Sequence, residues 1–248
     1  MPYLNRGNYQ LHYREEGKGK LLIILPGNTA SSASFLNEIE HLSKLYHTIA
    51  LDFRGTGLSD RLENWTFSRV YDNVDDVAAL IEHLGEKEAI LAGVSGGAII
   101  ALLTALKYPD KVKAVVADSC VEKVDVDKIK SVIASLDFDA PELIRFWKKA
   151  HGEDWRTIVE QDNKLLLMAA NSKLDVFDGR LKEISCPVLL CGSLKDSIIK
   201  DIPEQMTNMA KQIPHATLFL SDEGDHPLMW TAPKVFRLRI KLFLSALK

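Results

Sequence analysis

The sequence predicts an α/β fold with a mainly parallel sheet, helices on both of its faces and an inserted helical segment. Three observations predict this class. Six short apolar runs resemble buried strands, longer segments of helical period separate them, and this rhythm stops between residues 121 and 183. Continuous Val/Ile/Leu runs are typical of parallel strands covered on both faces. Their alternation with helical segments indicates crossover units.

The predicted elements are short and are bounded by turn-forming residues. The six buried strands are Leu21–Leu25, His47–Leu51, Ala89–Gly93, Val112–Ala117, Val188–Gly192 and Ala216–Leu220. Pro2–Asn5 and Tyr9–Arg14 are predicted to add an antiparallel hairpin at the sheet edge. The predicted core helices are Ser32–Lys44, Val70–Leu84, Gly96–Tyr108, Pro203–Lys211 and Lys234–Leu247.

Residues 121–183 are too long for a plain loop and carry their own apolar side chains, with a helical pattern at Pro141–Ala150. We therefore predict one structural domain, with a core of residues 1–120 and 184–248 and a helical cap at 121–183 inserted between two strands.

Composition limits the classes of partner. The chain has 248 residues, of which 46% are hydrophobic, and a net charge of −3, which favours neither nucleic acid nor an anionic membrane. The three cysteines, Cys120, Cys186 and Cys191, lack metal-site spacing and are predicted to be structural thiols of a reducing compartment. The first residues lack the apolar core of a signal peptide. We expect a cytoplasmic protein, monomeric or a small homo-oligomer, that uses no cofactor or metal and acts on a small molecule.

Ser95 is the predicted nucleophile. It is the centre of Gly93-Val94-Ser95-Gly96-Gly97, which directly follows one predicted strand and precedes a predicted helix. A serine in such a sharp turn adopts a strained backbone angle, and the glycines on either side relieve the crowding. A purely structural turn is the alternative.

A serine hydroxyl needs a base, and the base needs an orienting acid. His226 follows the last predicted strand, at the sheet edge where Ser95 is expected. The other six histidines fall on strands, helix faces or the wrong end of a strand, which favours surface or packing roles: His12, His41, His47, His83, His151 and His215. Asp196 follows the strand before that of His226 and is the predicted acid, with Asp118 as its rival. Asp222 and Asp225 are interpreted as solvated turn residues.

Backbone amides are suited to stabilise an oxyanion because they are already oriented. Gly96 supplies one at the start of its helix. The amide of Asn28, in the turn after the first buried strand, is predicted to supply the second. A plain glycine turn is the alternative there.

Together these features resemble the α/β-hydrolase superfamily over nearly the whole chain. Pro26-Gly27-Asn28 resembles the family's His-Gly-x oxyanion turn, and residues 52–60, DFRGTGLSD, are similar to its Asp-x-Arg-Gly-x-Gly-x-Ser segment. The resemblance implies a Ser95–Asp196–His226 triad in an α/β-hydrolase sheet. Two departures are present: proline stands at position 26, where many members have histidine that braces the turn, and Pro227 follows His226 directly. Serine at position 95 argues against the family's aspartate-nucleophile dehalogenases and epoxide hydrolases.

The predicted activity is hydrolysis of a small carboxylic ester through an acyl-enzyme. Hydrolysis of a lactone or a carbon–carbon bond would use the same triad, and a ligand receptor with little turnover is the alternative of another class. Trp147, Trp155 and Met168 in the predicted cap are proposed to line an apolar substrate pocket, although each would serve equally well in packing the cap onto the core.

Overall fold

The computed structural model describes residues 2–172 and 175–247, and these contain a single eight-stranded sheet. Its strands are β1 Tyr3–Arg6, β2 Tyr9–Glu16, β3 Leu21–Leu25, β4 His47–Leu51, β5 Ala89–Val94, β6 Val112–Asp118, β7 Val188–Ser193 and β8 Ala216–Ser221. Their order in the sheet is β1-β2-β4-β3-β5-β6-β7-β8. Residues 173 and 174 of the predicted cap, and residues 1 and 248 of the predicted core, lie outside the described residues.

Seven of the eight strands run in the same direction, and only β2 runs the other way. β1 pairs antiparallel with β2, and β2 pairs antiparallel with β4. All other pairings, from β3 with β4 to β7 with β8, are parallel. The predicted fold class is therefore confirmed, and the predicted strands are present to within one or two residues at each end.

Successive strand residues alternate between two cores, as the pleat of a strand requires. In β3, Ile23 and Leu25 belong to the core beneath helices of one face, whereas Leu22 and Ile24 belong to the core on the opposite face. All five β3 residues are buried. This two-sided burial explains why the run contains no polar residue.

Nine α-helices are found in the described residues. They are α1 Leu36–Leu42, α2 Ser68–His83, α3 Gly96–Lys107, α4 Val126–Ser135, α5 Pro141–His151, α6 Trp155–Asn171, α7 Ile202–Gln212, α8 Leu228–Thr231 and α9 Pro233–Ser245. The helix predicted over Ser32–Lys44 begins instead with a 3-10 turn, Ser32–Phe35. Asp52 accepts a hydrogen bond from the Ser32 amide at 2.6 Å, which ties this first turn to the end of β4.

Helices α4, α5 and α6 lie between β6 and β7 in the sequence and are called the inserted helices below. Trp147, Trp155 and Phe138 form their own small core, and the two indole rings stack with centroids 5.1 Å apart. Ser31 Oγ donates to the carbonyl oxygen of Ala150 at 2.8 Å and so links α5 to the core. The domain boundaries at 121 and 183 stay a prediction.

The three cysteines are buried and unpaired among the described residues. Burial raises the pKa of Cys186 to about 11, and it also raises the pKa values of Cys120 and Cys191. Thiols with such raised pKa values are poor nucleophiles. None of the helices described is both long and apolar enough to cross a bilayer.

Candidate active site

Ser95 occupies the one-residue turn between β5 and α3. Its φ of 51° and ψ of −118° lie in a region that non-glycine residues rarely adopt. Its amide donates to the carbonyl oxygen of Asp118 at 2.8 Å, which fixes the turn against β6. A Cβ at Gly97 would collide with the carbonyl oxygens of Leu25 and Pro26, so that position requires glycine. The turn thus holds a half-buried serine at the carboxyl edge of the sheet.

His226 and Asp196 form a hydrogen-bonded pair at the same edge. His226 Nδ1 lies 2.8 Å from Asp196 Oδ2, and the carboxylate is nearly inaccessible to solvent. The other oxygen, Oδ1, accepts from the amides of Ile198 and Ile199 at 3.1 and 2.7 Å. Three donors therefore hold the carboxylate in place. A carboxylate at Nδ1 keeps a proton on that nitrogen and leaves Nε2 as the basic end of the imidazole.

The loops that carry this pair are tied together by Asp225. Its carboxylate accepts from the amide and hydroxyl of Ser197 at 2.6 and 2.8 Å, and from the amide of His226 at 2.7 Å. Burial opposes ionisation of Asp225, but these hydrogen bonds prevail and hold its pKa below the usual value. Asp225 is a partly exposed turn residue, and its side chain also joins the loops after β7 and β8.

Asp118, the rival acid, lies fully buried at the end of β6. Its Oδ2 accepts from the Met229 amide at 2.7 Å and its Oδ1 from Ser119 Oγ at 3.1 Å. Burial raises its pKa to about 7. The described residues include no hydrogen bond between Asp118 and His226. Through its backbone Asp118 contacts Ser95, and through its side chain it contacts the segment after His226.

Asp118 therefore links the loop after β8 to the turn that carries Ser95. In the described chain no hydrogen bond joins Ser95 Oγ to His226. Side chains that exchange a proton during a reaction often tighten their contact only when substrate is bound.

The turn after β3 packs directly on the turn that carries Ser95. A Cβ at Gly27 would lie 3.3 Å from Ser95 Cβ, and a Cβ at Gly96 would lie 3.7 Å from the Asn28 nitrogen. The two predicted oxyanion residues, Asn28 and Gly96, are thus neighbours. The amide nitrogens of these residues belong to two turns that meet at the carboxyl ends of β3 and β5.

Two side chains of the inserted helices hold the turn at Thr29, whose φ of 59° is left-handed. Asp162 on α6 accepts from the Thr29 amide at 2.5 Å and from Asn28 Nδ2 at 3.4 Å. His151 at the end of α5 contacts the Thr29 carbonyl oxygen through Nε2 at 3.0 Å. Both peptide groups of this strained residue are therefore satisfied from the insertion. We call His151 and Asp162 the turn clamp.

The hydrogen bonds of His151 define its protonation state. Its Nδ1 accepts from the Gly57 amide at 3.0 Å, so the ring proton must lie on Nε2, which donates to Thr29. The imidazole is neutral in this arrangement, because a proton on Nδ1 would oppose the Gly57 N–H. Burial lowers the pKa of His151 in agreement with that requirement.

Acidification is expected to loosen the turn clamp. Because the folded state lowers the pKa of His151 from 6.5, the folded chain binds fewer protons than the unfolded chain. The stability that His151 contributes is present above pH 6.5 and is lost as the pH falls toward the lowered value. Urea unfolding between pH 8 and pH 5 should show a smaller loss in His151→Gln than in the wild type. His41→Gln, at an exposed position of α1, is the control; equal losses in wild type and His151→Gln would contradict the assignment.

A mainly apolar cavity of about 100 Å³ lies beside the two turns. It borders Asn28 and Gly96, whereas Ser95 and His226 are not among the described residues that line it. Its apolar lining comes mostly from α2, α3 and α6 and includes Phe67, Val70, Ile99, Ile100, Leu165 and Leu166.

The three side chains predicted to form the pocket lie elsewhere. Trp147 and Trp155 are 2% and 5% exposed within the core of the inserted helices, and Met168 is 53% exposed. None of the three lines the cavity in the described part of the chain. The prediction that these three side chains line the pocket is therefore corrected. The indole rings of Trp147 and Trp155 pack against each other, and other faces of the helices line the cavity. In the same ranges, no group of three or more His, Cys, Asp or Glu side chains is placed to hold a metal ion.

The sequence model of the alpha/beta hydrolase fold matches residues 20–167, which is more than half of the chain. The chain belongs to the alpha/beta hydrolase family.

Among curated alpha/beta hydrolase relatives, 2-(acetamidomethylene)succinate hydrolase of Mesorhizobium japonicum is 39% identical over 128 residues, 52% of this chain and 45% of that protein. The match thus spans less than half of that relative. (E)-2-((N-methylformamido)methylene)succinate hydrolase of Acinetobacter baylyi is 27% identical over 255 aligned positions, 96% of this chain and 95% of that protein. Both relatives are hydrolases named for small molecules.

Solved structures show the same fold. The crystal structure of E-2-(acetamidomethylene)succinate hydrolase has a TM-score of 0.77 to this chain at 24% identity, covering 99% of this chain and 98% of the other. At 24% sequence identity this structural similarity shows a shared fold.

The turn clamp of this alpha/beta hydrolase was missed by sequence reasoning, which assigned His151 a surface or packing role. One signal was available. Proline at position 26 removes a side chain that could brace the oxyanion turn, so a replacement had to come from elsewhere. His151 and Asp162 are 122 and 133 positions from Thr29, and no local pattern connects such distant residues.

Proposed function

We propose that this chain is a serine hydrolase that cleaves a small carboxylic ester through an acyl-enzyme on Ser95. The observation that carries the proposal is the His226–Asp196 hydrogen bond of 2.8 Å, in loops at the same sheet edge as the strained serine. A base oriented by a buried carboxylate and a nucleophile in a strand-to-helix turn are the two parts that acyl transfer needs.

In the proposed reaction, His226 Nε2 takes the Ser95 hydroxyl proton as Oγ attacks the carbonyl carbon. The carbonyl becomes an oxyanion, which the amides of Asn28 and Gly96 stabilise with donors that need no reorganisation. Asp196 stabilises the imidazolium that forms. His226 then gives the proton to the leaving alcohol, and the acyl group stays on Ser95. Deacylation repeats these steps with water as the nucleophile.

The turn clamp has a role in this scheme. The Asn28 amide is aimed by a turn whose next residue, Thr29, is left-handed and is held at both peptide groups by the inserted helices. Because a donor must lie within hydrogen-bonding distance of the developing oxyanion, the clamp acts by positioning this amide. A substrate with its carbonyl oxygen at Asn28 and Gly96 would direct its acyl group into the cavity that both residues border.

Amide hydrolysis is the second candidate. It is favoured by the names of the two curated relatives, which act on acylaminomethylene succinates. The same acyl-enzyme would form, with an amine or enamine as the leaving group. Lactone and carbon–carbon bond hydrolysis would also proceed from the same three side chains.

Covalent labelling with a fluorophosphonate tests the proposal. We expect the probe to add once to the protein and to map to the peptide that contains Ser95, because His226 activates that hydroxyl. Hydrolysis of 4-nitrophenyl acetate and butyrate should stop in proportion to labelling. A panel of lactones, enamides and vinylogous diketones then ranks the bond types. Hydrolysis that continues in fully labelled protein would refute the proposal, and labelling without turnover of any substrate would favour a receptor.

A further inference from the structure

Two polar side chains on one face of α2 line the cavity beside the oxyanion turn. Arg69 and Asn73 are one helical turn apart, and both border the cavity. They are only 7% and 3% exposed, although most of the cavity lining is apolar. Burial of polar groups is costly unless hydrogen bonds compensate for the lost water. The hydrogen-bond partners of Arg69 and Asn73 therefore indicate whether these polar groups are satisfied without a ligand.

The Arg69 guanidinium is only partly compensated. Its Nε donates to the Arg54 carbonyl oxygen at 2.8 Å, and its plane lies over the Trp65 ring at 4.1 Å. Its Nη1 is 3.5 Å from Asp162 Oδ1. Nη2 is buried and has no hydrogen-bond partner within the described ranges. A buried guanidinium nitrogen is thus left with unused donors.

Asn73 also has a buried polar atom that lacks a hydrogen-bond partner among the described residues. Its Oδ1 is buried and has no partner in the part of the chain that the structure describes. A half-turn of the amide would exchange Oδ1 for Nδ2, so the side chain can present either an acceptor or a donor to a group in the cavity. Two neighbouring polar residues of one cavity are therefore unsatisfied at the same time.

Among the described residues, the unpaired donors at the cavity favour an anionic group. Arg69 and Asp162 are the charged residues among its described lining. Asp162 accepts from Thr29 and Asn28 of the turn, so Arg69 shares this carboxylate with two other donors. Because the Arg69 guanidinium has little access to water, burial lowers its pKa. A carboxylate would supply acceptors for the unpaired donors of Arg69 Nη2.

We propose that Arg69 and Asn73 form a subsite for a carboxylate group on the acyl part of the substrate. The proposal rests on the function proposed above and narrows it to small esters or amides of dicarboxylic acids. The reacting carbonyl lies at Asn28 and Gly96, and the second carboxylate reaches α2 through the cavity. The carboxylate accepts from Arg69 Nη2 and from the Asn73 amide after its rotation.

A matched pair of esters tests this selectivity. 4-Nitrophenyl hydrogen succinate and 4-nitrophenyl butyrate share a leaving group and a four-carbon acyl chain, and only the first carries a terminal carboxylate. We expect the wild type to prefer the succinate ester in kcat/KM by at least about tenfold. Arg69→Met should lower kcat/KM for the succinate ester more than for the butyrate ester, mainly through KM, so that the preference is lost. Arg69→Lys, which keeps the charge but loses the fork, should retain part of the preference.

Arg239→Met is the matched control, because Arg239 is an exposed arginine that also lies over an aromatic ring, that of Phe219 at 4.2 Å. It should keep the full preference. Equal use of both esters by the wild type would overturn the subsite, as would an equal loss for both esters in Arg69→Met and Arg69→Lys. Either result would leave the serine hydrolase proposal standing.

Binding without turnover separates the two proposals. Glutarate should raise the melting temperature of Ser95→Ala, and the neutral dimethyl glutarate should not. Arg69→Met in the same background should abolish the glutarate effect. If no ester is cleaved but this Arg69-dependent binding is seen, the subsite stands and the proposed hydrolysis fails. If glutarate has no effect that depends on Arg69, the unpaired groups bind only water and the subsite is refuted.

Discussion

Replacing Ser95 by alanine is expected to lower kcat by about 10⁴–10⁶-fold for any ester that the wild type cleaves. The change removes the attacking oxygen and leaves the other proposed groups in place. Activity that survives would come from the oxyanion amides and from substrate binding. Steady-state kinetics under saturating substrate measure the loss, and circular dichroism checks that the turn with φ of 51° still folds.

Ser245→Ala provides the matched control for this substitution. Ser245 is an exposed serine at the end of α9, where its hydroxyl donates to the Leu242 carbonyl oxygen. We expect wild-type rates from this variant. Full activity in Ser95→Ala, with labelling by the fluorophosphonate at a different residue, would assign the chemistry to another part of the molecule.

Local sequence patterns predicted the sheet well because each strand is determined by its own burial. The β3 residues are all apolar since both faces of that strand are covered, so five adjacent letters suffice to locate it. The predicted positions of Ser95, Asp196 and His226 followed from the same reasoning. The carboxyl ends of parallel strands share one edge, which places residues that follow different strands near one another.

Local sequence patterns do not determine which side chains pack against each other in the folded chain. Trp147 and Trp155 were expected at a pocket because they are large and apolar, but an indole ring fills a small helical core equally well. The choice depends on which faces of α5 and α6 meet, and that is a property of the assembled helices. For the same reason the hydrogen bonds of Asp225 could not be predicted, because its partner Ser197 lies 28 positions earlier in another loop.

The inserted helices are therefore connected to the proposed chemistry at two places. Asp162 contacts the turn that carries the Asn28 amide, and it also lies near the Arg69 guanidinium. A change in the position of α6 would move the oxyanion turn and the proposed carboxylate subsite together. The proposed substrate subsite and the proposed oxyanion donor would thus depend on the same carboxylate, that of Asp162.

The choice between Asp196 and Asp118 as the triad acid can be tested with one pair of isosteric variants. Asp196→Asn is expected to lower kcat by about 10⁴-fold, because an amide that donates to His226 Nδ1 forces the proton onto Nε2 and removes the base. Asp118→Asn should cost less than about tenfold. Its amide keeps an acceptor for Met229, and a neutral side chain suits a buried site that raises the carboxyl pKa to about 7.

Stability measurements on Asp118→Asn give an independent check. The folded state raises the Asp118 pKa from 3.8 to about 7, so the folded chain binds more protons than the unfolded chain between these values. The stability contributed by Asp118 is present below pH 3.8 and is lost as the pH rises to about 7. The free energy of unfolding of Asp118→Asn relative to the wild type should therefore increase from pH 4 to pH 8. Should Asp118→Asn lose activity by about 10⁴-fold while Asp196→Asn remains active, Asp118 would be the acid that orients His226.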